Sequence, residues 1–229
     1  MTSNYNLTSF DSSEKLAIAL SVEIADILNT SIEKNGKATL LVSGGNTPKL
    51  FFEKLSHQDI DWSNVYIGLV DERCVNNKHE DSNENLVKKH LIKNLARNAT
   101  FISMYSKDFE LNSVNKNYHK YFFRTDVLVL GMGEDGHTAS IFPELDDLDK
   151  LYKSQEFCEV TKPKNAQHER ITLSLGSILN AENVFLHIEG KNKYKVFCKA
   201  AKDKDLFPIS KILYNDKKTI EVYFSWIQK

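Results

Sequence analysis

Short apolar runs alternate along this chain with longer stretches in which apolar residues recur every three or four positions. The short runs predict strands over 38–42, 65–70, 126–130, 184–188 and 219–224, since β-branched and other apolar residues dominate them. A strand that is apolar at nearly every position is buried on both faces, which is typical of parallel sheets whose strands are joined by helices. The pattern therefore predicts an α/β protein.

The helical stretches begin and end at recognisable residues. Asp11 with Glu14, and Asp81 with Glu84, have the three-residue spacing of a capping box, so we expect these pairs to begin two helices. The first of these helices stops at Gly36. Its core-facing stripe consists of Leu16, Leu20, Ile24, Ile27 and Leu28. Further helices are predicted over 48–55, 82–95 and 191–202.

The simplest arrangement of these elements is one three-layer α/β/α domain, residues 1–229, around a largely parallel sheet. In such sheets ligands bind at the carboxyl ends of the strands. Four predicted strands end in unusual polar or glycine-rich segments, at 43–48, 71–73, 131–137 and 190–193. We therefore expect these four segments to meet along one edge of the sheet and to form a binding site.

Composition and charge exclude several classes of protein. The 229 residues are 41% hydrophobic and carry a formal net charge of −1, which fits neither a disordered chain nor one that binds nucleic acid through a bulk basic field. No apolar run approaches the roughly 18 residues of a membrane span, and the first residues lack a signal-peptide pattern. Cys74, Cys158 and Cys198 are widely spaced, which predicts reduced thiols and a cytoplasmic protein.

SGGNTP, residues 43–48, separates a predicted strand from a predicted helix. Its glycines would let the backbone approach a ligand closely, and the N–H groups at a helix start attract an anion such as phosphate. The segment has no lysine at the position that marks a Walker-type loop, so a tight turn that binds nothing remains an alternative. Its candidate ligand contacts are Ser43, Gly44, Gly45, Asn46 and Thr47.

Two basic residues are further candidates for an anion site. Arginine is scarce in this lysine-rich chain, and Arg170 stands directly before a strand-like run, where its planar fork could hold a phosphate. Lys193 lies in GKNK at the start of a predicted helix, where the helix dipole favours anions over cations. A bound phosphate would explain that placement; a surface position for either residue is the alternative.

GMGEDGH, residues 131–137, formally contains the GxGxxG pattern of dinucleotide sites. Glu134 and Asp135 would repel a pyrophosphate, and Pro143 leaves no room for the helix that such a site requires. The segment instead presents His137, whose type suits a general base, with Asp135 near enough to orient it. The histidines and cysteines have no metal-ligand spacing, so no metal site is predicted from the residues.

Six segments together resemble the 6-phosphogluconolactonase family, in order and at the expected separations, from about residue 38 onward. They are LVSGGNTPKLFFEKL, VDERCVNNKHEDSNENLVKKHL, DVLVLGMGEDGHTASIFP, RITLSL, GKNKYKVF and LFPISKIL. The resemblance implies a Rossmann-like fold of the NagB/RpiA/CoA-transferase type. The related glucosamine-6-phosphate deaminases differ after the DE pair and after the loop histidine, and Arg73 and the TASIFP continuation favour the lactonases. Glu144 stands where the family usually has glycine, which concerns the shape of a loop.

The resemblance implies cofactor-free hydrolysis of 6-phospho-D-glucono-1,5-lactone to 6-phosphogluconate, in the oxidative pentose phosphate pathway. The expected catalytic residues are His137 and Asp135. The expected substrate-binding residues are Ser43, Gly44, Gly45, Asn46, Thr47, Asp71, Glu72, Arg73, Gly133, Arg170 and Lys193. The expected partner is thus a small phosphorylated sugar lactone, with no nucleic acid or membrane; a monomer is plausible, but the sequence does not determine the oligomeric state. A deaminase of amino-sugar phosphates and a non-catalytic sugar-phosphate sensor remain alternatives.

Overall fold

Residues 2–226, the part of the chain described by this computed structural model, form a parallel sheet flanked by helices and a smaller antiparallel sheet. The outer limits of the predicted domain, residues 1 and 229, lie outside the described residues. The strands are β1 (Tyr5–Phe10), β2 (Ala38–Val42), β3 (Val65–Leu69), β4 (Asp71–Arg73), β5 (Thr100–Phe101), β6 (Val127–Leu130), β7 (Cys158–Thr161), β8 (Arg170–Leu173), β9 (Asn183–Glu189) and β10 (Ile220–Ser225). The helices are α1 (Ser13–Asn35), α2 (Lys49–Leu55), α3 (Asn83–His90), α4 (Leu111–Phe122), α5 (Leu148–Lys153), α6 (Leu175–Asn180), α7 (Lys191–Ala200) and α8 (Pro208–Leu213).

The large sheet has the strand order β1-β10-β9-β6-β2-β3-β5, and every pair in it is parallel. The α/β fold with a largely parallel sheet is thereby confirmed, as are the five predicted strands, each within one residue at either end. After β2 the chain moves toward β3 and β5, whereas after β6 it moves the other way, toward β9. The loops that follow β2 and β6 diverge at this switch point, and a crevice opens between them at the carboxyl edge.

Both predicted capping residues are wrong by one position. The first helical residue of α1 is Ser13, so the extended residue before it is Ser12, whose hydroxyl accepts a hydrogen bond from the backbone N–H of Lys15 at 3.2 Å. Asp11 instead pairs its carboxylate with the Lys15 ammonium group. In the same way Ser82, rather than Asp81, caps α3.

Helix α3 is also shorter than predicted. It ends at His90, and a 3₁₀ turn over Asn94–Asn98 follows it, so the predicted helix over 82–95 contains two separate elements. Helix α1 ends before Gly36, as predicted.

The antiparallel sheet, with strand order β4-β8-β7, is absent from the sequence prediction. Its central strand β8 pairs Arg170 with Arg73 of β4, which brings two of the four arginines in the chain side by side. β1 was also missed, because YNLTSF contains no apolar run and the strand is largely exposed at the edge of the large sheet.

Candidate active site

A cavity of about 220 Å³ opens at the carboxyl edge of the large sheet, between the loops that follow β2 and β6. All four segments predicted to meet there contribute to its lining. Ten of the thirteen predicted site residues line it: Ser43, Gly44, Gly45, Asn46, Thr47, Asp71, Arg73, Gly133, His137 and Lys193. The other three, Glu72, Asp135 and Arg170, do not line it.

Hydrogen bonds hold the loop after β2 to its neighbours on both sides. The backbone N–H of Ser43 donates to the Val129 carbonyl at 3.0 Å, and its Oγ accepts from the backbone N–H of Gly131, also at 3.0 Å. At the other end of the loop, Lys193 Nζ donates to Thr47 Oγ1 at 3.1 Å. An ammonium group and a hydroxyl therefore share one corner of the cavity, close to the start of α7, where an anion would be stabilised.

Glycine is required at position 44 because another side chain occupies the space that a Cβ would take. That atom would lie 1.9 Å from Oδ1 of Asn83. The Asn83 amide nitrogen in turn donates to the Asp71 carbonyl oxygen at 2.8 Å. Asn83 thus holds the 43–48 loop and the 71–73 segment together.

His137 stands in a slot between Gly133 and Phe142. Its ring stacks on that of Phe142, with centroids 4.2 Å apart and planes 26° apart, and a Cβ on Gly133 would lie only 2.2 Å from its Nδ1. Nδ1 lies 2.6 Å from Oδ1 of Asp135, which also accepts a hydrogen bond from the His137 backbone N–H. The carboxylate therefore favours the tautomer with hydrogen on Nδ1, which leaves Nε2 as the basic nitrogen.

Asp135 keeps its charge because of this contact. Partial burial works to raise its pKa, but the hydrogen bond and the charge interaction with His137 outweigh burial, so the pKa lies below its ordinary value of 3.8. A carboxylate that stays ionised orients the imidazole and stabilises it when it takes a proton. The pair can therefore act as a general base at one wall of the cavity.

The side chains of the DER segment, residues 71–73, point in two directions. Asp71 and Arg73 line the cavity, and the Asp71 carboxylate accepts a hydrogen bond from Ser140 Oγ at 2.6 Å. Glu72, which lies between them, is 2% exposed and points away to the start of α3. Its carboxylate accepts hydrogen bonds from the backbone N–H groups of Arg73, Asn83 and Glu84 and from the hydroxyl of Ser82. Glu72 therefore holds α3 in place behind the site.

Arg170 is buried beside Arg73 and does not line the cavity. Burial lowers its pKa and the charge of Arg73 lowers it further, while Asp71, Asp81 and Glu72 oppose that change. The Arg73 guanidinium donates to the Asp81 carbonyl oxygen. Within residues 2–226, Nε of each of the two arginines is buried without a hydrogen-bond partner.

Two polar residues that line the cavity, Asn83 and His187, were not predicted from the sequence. Asn83 lies in VDERCVNNKHEDSNENLVKKHL, one of the segments that carry the family resemblance, but nothing in the sequence placed it against Gly44. His187 lines the cavity from β9. A histidine within the apolar run VFLHIE, with Glu189 two residues later on the same face of the strand, is the signal that could have identified it.

One group of side chains could hold a metal ion, and it lies away from the cavity lining. Among the described residues, His79, Asp81 and His168 bring their ligand atoms within 4.8 Å of one another. His168 lies on a different segment from the other two, so spacing along the sequence could not reveal this group. Its histidines already interact with the Asp81 carboxylate, His168 at 3.1 Å.

None of the helices formed by residues 2–226 is both long enough and apolar enough to cross a membrane.

Comparison with known proteins gives consistent matches over nearly the whole chain. Residues 11–221 match the family model of glucosamine-6-phosphate isomerases/6-phosphogluconolactonase. The chain is 37% identical over 224 residues to the 6-phosphogluconolactonase of Neisseria meningitidis, covering 94% of this chain and 97% of that protein. It is 34% identical over 225 residues to that of Helicobacter pylori, with 96% and 98% covered. A crystal structure of a 6-phosphogluconolactonase from Shewanella baltica superposes with a TM-score of 0.94 at 39% identity, covering 98% of this chain and 99% of that one.

Proposed function

The chain belongs to the family of glucosamine-6-phosphate isomerases and 6-phosphogluconolactonases, and we propose that its cavity hydrolyses 6-phospho-D-glucono-1,5-lactone to 6-phospho-D-gluconate with His137 as the general base. The relatives named 6-phosphogluconolactonase support this activity, which is that of a lactone hydrolase. The observation that carries the assignment of the base is the Asp135–His137 pair, on the same cavity as the Thr47–Lys193 corner.

Binding begins with the phosphate group of the substrate. Thr47 and Lys193 would hold it, together with backbone N–H groups of the 43–48 loop. A hydrogen bond to a charged group contributes about 1.5–3 kcal/mol. These contacts are the same in the ground state and the transition state, so they set affinity and position the lactone carbonyl for attack.

Chemistry then takes place at His137. Its Nε2 takes a proton from a water molecule, whose oxygen attacks the lactone carbonyl carbon and forms a tetrahedral oxyanion. The backbone N–H groups of Gly131 and Gly133 already donate to Ser43 Oγ and to the His137 carbonyl. Arg73 and the backbone N–H of Met132 are therefore the donors proposed for that oxyanion. Collapse of the intermediate breaks the bond to the ring oxygen, which receives the proton from His137. The net change is the addition of one water.

We also propose that the enzyme acts as a monomer in the cytoplasm. Every residue assigned above comes from one chain, so a monomer suffices for the reaction. Three free thiols, with Cys158 buried, suit the reducing conditions of the cytoplasm.

A coupled assay that generates the lactone in situ, corrected for spontaneous hydrolysis, tests the function. His137→Ala should lower kcat by about 10²-fold or more and change KM little, because general-base catalysis contributes roughly 10²–10⁴-fold. His119→Ala, at an exposed position on α4, is the control and should keep full activity. Full activity of the His137 variant would remove that residue from its assigned role. Ammonia release from glucosamine 6-phosphate by the unmodified protein would assign the deaminase reaction instead.

A further inference from the structure

A buried histidine–glutamate pair lies beneath the cavity, and the mechanism above does not use it. His187 and Glu189 are two residues apart on β9, so their side chains share one face of the sheet. Nε2 of His187 lies 2.8 Å from Oε1 of Glu189, and the two residues are only 2% and 4% exposed. The other carboxylate oxygen of Glu189 accepts a hydrogen bond from the hydroxyl of Ser13 on α1.

Among the residues that the structure describes, none is hydrogen-bonded to the second ring nitrogen of His187. Burial would raise the pKa of Glu189, but its hydrogen bonds from His187 and Ser13 outweigh burial and lower that pKa, so the group is a carboxylate and Nε2 must be the donor. Nδ1 is buried and makes no hydrogen bond within residues 2–226. An unpaired buried polar atom is costly, and this one belongs to a ring that lines the cavity, where a ligand could pair with it.

The ring has two neighbours of different kinds, and a cation lies next to one of them. His187 bonds to Glu189 on its own strand and meets the edge-on ring of Phe51 on α2. Lys193 interacts with Glu189 electrostatically and donates to Thr47. His187 therefore lines the same cavity as the ammonium–hydroxyl corner, and the Lys193 ammonium group links that corner to the His187–Glu189 pair.

We propose that His187 completes the phosphate subsite, with Nδ1 bonded to a phosphoryl oxygen of the substrate. In this contact Nε2 still donates to Glu189, and the proton shared between Nδ1 and the phosphoryl oxygen is the one that the phosphate monoanion carries. This inference rests on the proposed function and deepens it, since it makes His187 a determinant of the preference for phosphorylated lactones.

Two substitutions of His187 test the contributions of its two ring nitrogens separately. His187→Gln keeps a donor near the position of Nε2, and so keeps the contact with Glu189, but removes the group at Nδ1. His187→Asn places an amide near Nδ1 and gives up the contact with Glu189. The exposed His119→Gln on α4 is the matched control. Thermal unfolding of each variant checks that the fold is kept.

The assay compares 6-phosphogluconolactone with glucono-1,5-lactone, which lacks the phosphate. His187→Gln should lower kcat/KM for the phosphorylated lactone by about tenfold or more, through KM, and leave kcat/KM for the other lactone unchanged. His187→Asn, where it folds, should retain part of the preference. An equal loss on both lactones would place the contact at the sugar or the carbonyl and overturn the proposal, as would no loss on either.

Binding of inorganic phosphate, measured by calorimetry, separates this inference from the proposed function. His187→Gln should weaken that binding about tenfold or more even if the unmodified protein hydrolyses no lactone, in which case only the proposed reaction is refuted. Equal phosphate affinity in the two proteins would overturn the inference even if lactonase activity is present.

Discussion

Replacing Gly133 by alanine should disable the general base while leaving the Thr47–Lys193 corner intact. The added Cβ would lie 2.2 Å from Nδ1 of His137 and 2.4 Å from Oδ1 of Asp135, whereas ordinary contact begins at 3.4 Å. The imidazole must therefore withdraw by about 1.2 Å. Phe142 is stacked on the ring with centroids 4.2 Å apart, which restricts that movement and forces the His137–Asp135 hydrogen bond to break.

The size of the effect follows from that displacement. A catalytic group misplaced by about 1 Å costs about 10²-fold in rate, so we expect Gly133→Ala to lower kcat by about that factor. KM should change little, because Thr47 and Lys193 are held by a separate contact. Initial rates in the coupled lactone assay, over a range of lactone concentrations, give both constants.

Gly131→Ala is a control within the same loop. A Cβ at position 131 would find its nearest neighbour, Cβ of Ser43, at 3.9 Å, which is an ordinary van der Waals distance. This variant should therefore keep most of its activity. If Gly133→Ala retains the unmodified kcat, or if both variants lose activity equally, the reasoning from the slot around His137 is refuted.

Three more predictions concern binding, charge and metals. Lys193→Met should raise KM about tenfold or more with kcat nearly unchanged, because it removes a charged donor to the phosphate; a collapse of kcat at constant KM would place Lys193 at the carbonyl. Asp135→Asn should lower the melting temperature at neutral pH. Because the pKa of Asp135 is lowered in the folded state, its carboxylate stabilises the fold at pH values above its ordinary pKa of 3.8, and this stabilisation is lost as the pH falls through the folded-state pKa. The difference in melting temperature between the two proteins should therefore shrink in acid. A difference that grows in acid would contradict this. Chelation should leave activity unchanged, since His79, Asp81 and His168, the group within residues 2–226 that could hold a metal ion, do not line the cavity. Loss of activity that a divalent ion restores would contradict this.

The position of the site could be predicted from the sequence because it follows from strand direction. Uninterrupted apolar runs indicate parallel strands, parallel strands place their following loops on one edge, and the segments at 43–48 and 131–137 duly meet there. No long-range contact had to be known for that step. The resemblance to a known family then supplied the reaction, which composition and spacing alone left open.

What sequence reasoning missed depends on the alternation of side chains and on contacts between distant segments. DER was treated as one segment, but it forms a short strand, so Asp71 and Arg73 face one way and Glu72 the other. The pairing of Arg170 with Arg73 depends on an antiparallel sheet between segments about 100 residues apart. His187 was not singled out from the sequence, because it stands within an apolar run and only the fold shows that its face of β9 meets the cavity.

The edge position of β1 has a consequence for how the chain is made. Within residues 2–226, Tyr5–Phe10 pairs with Ile220–Ser225 and with no other strand. During synthesis β1 therefore lacks this partner until residues 220–225 have also been made. A variant truncated before residue 220 would leave β9 as an exposed edge of the sheet and β1 without the strand with which it pairs.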